Sequence, residues 1–198
     1  MSYDLGKIFI KNKQFSKALY IFENKIKSNP NDLRANFQIG KIYYELNNLN
    51  KSLKYFQKCD EIQPNTANIL FNLALIFQST GKINDAKKKY LELISINPKD
   101  IKSYYGLHSL DIKNINTNLY KNLQNYLDNE NLSLFEKSLI NFIFSKIEKN
   151  KKKFKNEIEY LELSHNQCYQ ANLNFNNQSN FYYKKIISKC CHDIKFKE

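Results

Sequence analysis

The three prolines of this chain, Pro30, Pro64 and Pro98, lie 34 residues apart, and the residues ahead of each follow one pattern. Leu5-Gly6, Phe9, Ala18 and Phe22 precede Pro30, and Ile39-Gly40, Tyr43, Ser52 and Phe56 stand at the same offsets before Pro64. Leu73-Ala74, Phe77, Ala86 and Tyr90 repeat the series before Pro98. A fixed period of this length marks an internal repeat, in which each unit shelters its apolar face against its neighbours.

Within a repeat the large apolar residues recur at three- and four-residue steps, which describes two amphipathic helices and rules out the alternation of a strand. Gly6, Gly40 and Ala74 in the first helix, and Ala18, Ser52 and Ala86 in the second, are small where the paired helices come closest. Asn47-Asn48 and Thr80-Gly81 supply short turns, Gly81 taking positive φ without a steric penalty. Each proline ends a second helix, and Asp32, Thr66 or Asp100 is placed to cap the helix that follows.

Small, aromatic and proline residues at these offsets resemble the tetratricopeptide repeat family, a 34-residue helix-turn-helix unit. The resemblance implies an all-α fold: a tetratricopeptide-repeat superhelix, or α-solenoid of antiparallel helix pairs, with a concave inner wall. Residues 1–98 hold three clear repeats. Residues 99–132 form a degenerate fourth, in which Tyr104, Leu107, Tyr120, Leu123 and Leu127 keep a helical rhythm, His108 stands at the small-residue position and Asp111 replaces the aromatic. Residues 133–198 give a divergent helical pair, through Leu139, Phe142, Ile143 and Ile147 and then Phe154, Ile158 and Leu161, followed by a C-terminal capping or linker helix carrying Phe181, Tyr182, Ile186 and Ile187.

In that family, partner peptides or helices lie along the groove lined by the first helix of each repeat. The resemblance puts Tyr3, Lys7, Arg34, Phe37, Lys41, Tyr44, Asn68, Phe71 and Gln78 on that face. Aromatic anchors among cations suit an acidic or amphipathic protein segment, with several of the aromatics packing between repeats as the alternative. The chaperone-binding branch of the family grips a terminal carboxylate with Lys and Asn, and this chain departs from it, with Tyr3, Lys7 and Lys41 at three of those positions. The first repeat begins almost at Met1 without a capping helix, so self-association through its exposed flank is expected.

A second resemblance lies downstream. Glu136 to Phe142, Ser145-Lys146, Phe154, Tyr160-Leu161, Asn172, Asn174-Phe175 and Phe181-Tyr182-Tyr183 are similar to the segment joining repeats to catalysis in bacterial tetratricopeptide-repeat sulfotransferases. In that family a strand and a phosphosulfate-binding loop come next, and the sequence ends before them. The resemblance thus implies a docking or regulatory portion whose donor-binding domain is missing or encoded separately.

The formal charge of +12 raises nucleic acid as a partner, but Arg34 is the only arginine, so bidentate recognition of phosphate or guanine is nearly unavailable. Lys87-Lys88-Lys89 and Lys151-Lys152-Lys153 read as solvated helix faces and turns, and the bias towards Lys, Asn and Ile points to an A+T-rich genome. Cys59, Cys168, Cys190 and Cys191 lack paired zinc-ligand spacing, also when joined by His165 or His192, and Cys59 reads as a small core residue. Neither a nucleophile-base pair nor a free glycine-rich loop is present, and Glu157, Glu159 and Glu162 are spaced for surface pairing with lysines. The expectation is a non-catalytic, cofactor-free interaction scaffold in the cytoplasm, since neither a secretory leader pattern nor an apolar run of membrane length is read.

Overall fold

The computed structural model describes residues 2–129 and 131–173, so the Phe181–Ile187 stretch, the Asn174-Phe175 pair and the Cys190-Cys191-His192 cluster lie outside the described residues. Residues up to Asn116 make one compact unit and those from Thr117 another. Among the described residues the regular structure is helical throughout.

The first unit contains α1 (Tyr3–Lys11), α2 (Phe15–Ser28), α3 (Leu33–Glu45), α4 (Leu49–Ile62), α5 (Ala67–Ser79), α6 (Ile83–Ile96), α7 (Ile101–Leu110) and a 3-10 turn at Ile112–Asn114. Each helix packs on its successor as far as α7, giving a stack of antiparallel pairs. Helices α2, α4 and α6 stop two residues before Pro30, Pro64 and Pro98. The residues immediately ahead of the prolines, Asn29, Gln63 and Asn97, have φ of −143°, −140° and −130°, out of the helical region because the proline ring crowds the preceding backbone.

The turn inside each pair repeats in atomic detail. Lys13, Asn47 and Gly81, spaced by the 34-residue period, all adopt positive φ, at 55°, 55° and 73°. The next amide reaches back over the turn in each case, from Gln14 to the Phe9 carbonyl, Asn48 to Tyr43 and Lys82 to Phe77, every bond at 2.8 Å. This is a Schellman ending, which satisfies carbonyls that a helix terminus leaves open. Of the three expected caps only Asp32 accepts from its helix, at the Ala35 amide. Thr66 instead donates to the Gln63 carbonyl, and Asp100 accepts from the Ser103 hydroxyl.

One buried ring organises each pair. Phe22, Phe56 and Tyr90 are fully buried on α2, α4 and α6. A Cβ on Gly6 would lie 2.4 Å from the Phe22 ring, and one on Gly40 3.0 Å from Phe56. Gly106 of α7, the helix that follows Tyr90, also comes close to that ring, with a Cβ there 2.4 Å away, and His108, two positions later, is half-buried. Ser52 resolves its burial by donating to the Gly40 carbonyl at 2.8 Å. Cys59 is fully buried, and burial pushes its thiol up to about 12, which makes it an inert core residue.

The second unit comprises α8 (Thr117–Asn129), α9 (Leu134–Asn150) and α10 (Phe154–Ala171). Ser133 and Glu136 form a reciprocal capping box at the start of α9. The α9–α10 turn reuses the same device, with Lys152 at φ 58° and the Lys153 amide bonded to the Glu148 carbonyl at 3.0 Å. Buried Ser164 donates to the Ser138 carbonyl, and Asn141 donates to Gln167, joining the two helices. Glu148 is buried beside Tyr120 and Tyr160 and accepts from Lys151 at 2.6 Å and Asn156 at 3.3 Å.

Two outcomes follow from this packing. Gly106→Ala drives a methyl into the Tyr90 ring and is expected to lose up to about 2 kcal/mol despite better helix propensity. Gly40→Ala, needing only a few tenths of an ångström from Phe56, should be close to neutral, and urea unfolding giving the reverse order would contradict the packing described. Burial opposes ionisation of Glu148, but the Lys151 ammonium and Asn156 amide prevail and hold its carboxyl below the ordinary 4.5. Its contribution is therefore complete above pH 4.5 and lost as pH falls through the lower folded value. Glu148→Gln should cost about 1–3 kcal/mol at pH 7 and flatten that acid limb of the stability profile.

Candidate functional site

The first helices of the repeats, α1, α3 and α5, together border a recess of about 260 Å³. Leu33, Phe37 and Ile69 supply apolar wall, and Tyr3, Lys7, Arg34, Gln38, Thr66 and Asn68 complete it. That volume lies below the ~300–1,000 Å³ of small-molecule sites and suits one inserted side chain.

The α1 edge of the recess is built around Tyr3. Its hydroxyl donates to Asp32, the same carboxylate that caps α3. The Arg34 guanidinium lies 4.5 Å and the Lys25 ammonium 4.7 Å from the centre of its ring. Burial, then the hydrogen bond and charge of Asp32, push the Tyr3 phenol up to about 12, so it remains a neutral donor across the physiological range. Arg34 is thereby held by stacking and is still exposed, and Lys7 is exposed beside it.

The aromatic residues of this wall rest on the rings that organise the helix pairs. Tyr3 approaches Phe22 at 6.1 Å, Phe37 meets Phe56 edge-on at 5.3 Å, and Phe71 meets Tyr90 edge-on at 6.2 Å. Each is half-buried, so one edge serves the core while the other faces the wall.

Of the nine residues singled out in the sequence, Tyr3, Lys7, Arg34, Phe37 and Asn68 border the one recess. Lys41 is exposed further along α3, and Tyr44 packs against the cluster of Phe56, Cys59, Ile69, Leu73 and Ile76. Gln78 accepts from the Tyr90 hydroxyl at 2.9 Å and donates to Ser109 at 3.0 Å, so its amide is engaged internally. Leu33, Gln38, Thr66 and Ile69 were not singled out. Their shared position in the opening turns of α3 and α5, next to Arg34 and Asn68, is the signal that would have found them.

Elsewhere, Leu5, Ile8 and Tyr20 are 42%, 53% and 59% exposed on α1 and α2. A shallow cleft of about 430 Å³ runs between Leu5, Phe9, Lys17, Tyr20 and Ile21. Among the described residues, no helix is long and apolar enough to cross a membrane.

The tetratricopeptide repeat family model matches residues 33–66 and 67–100. A crystal structure of MamA is similar to this chain with a TM-score of 0.67 at 14% identity, over 86% of this chain and 98% of that one. MamA 41-end from Desulfovibrio magneticus RS-1 gives 0.65 at 14% identity, over 84% and 93%. YrrB, described as a TPR protein with an unusual peptide-binding site, gives 0.62 at 8% identity, over 88% and 89%. No curated protein matches the chain significantly. The described residues form an all-α helical-repeat fold of the tetratricopeptide solenoid kind, and at these identities the structural likeness speaks for fold alone.

Proposed function

We propose that the chain is a non-catalytic interaction scaffold whose first-helix wall binds an acidic or amphipathic peptide segment. The observation that carries this reading is the recess between α1, α3 and α5, apolar within and flanked by exposed Lys7 and Arg34. An apolar anchor filling the recess supplies most of the affinity, because a few desolvated side chains dominate binding. The cations steer approach and select carboxylates beside the anchor, and Arg34, stacked on Tyr3, meets a carboxylate with little loss of side-chain freedom.

The sulfotransferase reading rests on the linker residues, several of which have structural work of their own. Glu136 completes the capping box of α9, Asn141 and Ser138 join α9 to α10, and Ser145 is buried. The scaffold reading draws on the recess instead, and is the one we adopt.

Selection from a displayed peptide library should enrich sequences with Asp or Glu next to a large apolar residue. Lys7→Glu combined with Arg34→Glu should weaken the selected peptides at least tenfold by fluorescence anisotropy while leaving the melting temperature nearly unchanged. Peptides without acidic residues, or affinities indifferent to both changes, would overturn the reading.

The exposed Leu5, Ile8 and Tyr20 favour self-association through the first helix pair as a second activity of the scaffold. Light scattering should show mass rising with concentration, and Ile8→Glu with Tyr20→Glu should return the protein to a monomer. A wild-type protein that is monomeric at high concentration removes the idea.

A further inference from the structure

The 34-residue register that relates Tyr3, Phe37 and Phe71 reaches one residue further, to Tyr105 on α7. Counted the same way, Arg34 and Asn68 are followed by Lys102, and Lys41 and Leu75 by Ser109. Tyr105 is 38% exposed, with the His108 ring 6.3 Å away, and Lys102 and Ser109 are exposed as well. Helix α7 packs on α5 within the first unit, so these residues continue the wall of which the recess is the opening part. The Gln78–Ser109 hydrogen bond at 3.0 Å joins the two helices along this same row.

Charge along the wall is uneven. Lys7, which also pairs with Asp4 at 3.9 Å, and Arg34 and Lys41 leave α1 and α3 with a cationic surplus over Asp4 and Glu45, α5 presents the uncharged Asn68, Phe71, Asn72, Leu75 and Gln78, and α7 restores a cation at Lys102. We propose that α7 is a second recognition element of the same wall, and that the partner is an extended peptide with carboxylates at both ends of an uncharged, apolar middle. This deepens the scaffold reading and rests on it. Three helix-to-helix steps of about 8–10 Å make roughly 24–30 Å, which an extended chain covers in about seven to nine residues. A single acidic residue beside an anchor would use only the α1–α3 end. Two acidic ends set the register of the peptide, because sliding by one step places a carboxylate over neutral α5.

The test uses the full chain and a fluorescein-labelled peptide of about ten residues, with two glutamates at each end and an uncharged middle of Leu-Phe-Leu flanked by serines. Glutamine replaces the glutamates at one end or the other in companion peptides. Replacing either end should weaken binding about two- to fivefold, the size of a partly exposed charge pair. Lys102→Gln and Tyr105→Ala should each weaken the doubly acidic peptide. In a double-mutant cycle the Lys102→Gln penalty should vanish with one of the two half-neutralised peptides and persist with the other. Lys102→Arg should retain binding, and Lys88→Gln, on the exposed face of α6, should have no effect, which separates the site from attraction by net charge. If Arg34→Gln weakens binding but Lys102→Gln and Tyr105→Ala do not, the α7 element is overturned and the scaffold reading stands. If none of the three changes matters, or the wild-type protein ignores the peptide at millimolar concentration, both fall.

Discussion

The contact between a small residue on one helix and a full aromatic ring on an adjoining helix governs the first unit of this protein. Phe22, Phe56 and Tyr90 are each fully buried, and the backbones of Gly6, Gly40 and Gly106 lie against them at distances that exclude a methyl group or barely admit one. The same rings support Tyr3, Phe37 and Phe71 from beneath. Core and wall are therefore two sides of one object, and the wall residues inherit their positions from the close approach of the helices. Such a surface is preorganised: little side-chain freedom remains to be lost when a partner arrives.

The wall also borrows rigidity from the handover between repeats. Asp32 caps α3 and accepts from Tyr3, while Arg34, two residues later, stacks on the Tyr3 ring. A single carboxylate thus links the end of one repeat, the start of the next and the chemistry of the recess. Further along, Lys89 of α6 pairs with Asp60 of α4 at 3.1 Å and with Glu92 at 3.2 Å, a network that ties the second and third pairs together from another side. Because the stack is nearly one-dimensional, ties of this sort between neighbours do what a central core does in a globule.

Much of the first unit could be read from the chain because its signals are local and periodic. Proline spacing fixed where second helices end, and Gly81 announced the left-handed turn that Lys13 and Asn47 also adopt. Lys13 carries no such signal, since the Schellman geometry around it imposes the conformation on whatever residue is there. Thr66 and Asp100 failed as caps for a similar reason: rotamer choice follows neighbouring hydrogen-bond partners, and the Gln63 carbonyl and Ser103 hydroxyl took theirs. After Pro98 the marker residues disappear, and with them the means of counting; Lys102 and Tyr105 were passed over although the period alone would have reached them. The division at Asn116 depends on which helices touch, which is a tertiary fact with no local signature. In the site, aromatic and cationic positions were readable from the register, whereas the internal use of Gln78 and Tyr44 emerged only from packing.

The turns within the helix pairs bear unequal loads. Glycine occupies the left-handed position at residue 81, asparagine tolerates it at 47, and lysine is forced into it at 13 and 152. A β-carbon in that conformation costs about 1–2 kcal/mol, an amount stored in the hinge itself and released when the hinge opens. The scaffold thus contains graded weak points, with the α1–α2 hinge more heavily strained than the α5–α6 hinge. Among the turns within the first unit's helix pairs, the one behind α1, the helix that carries Tyr3 and Lys7, therefore bears the largest conformational penalty.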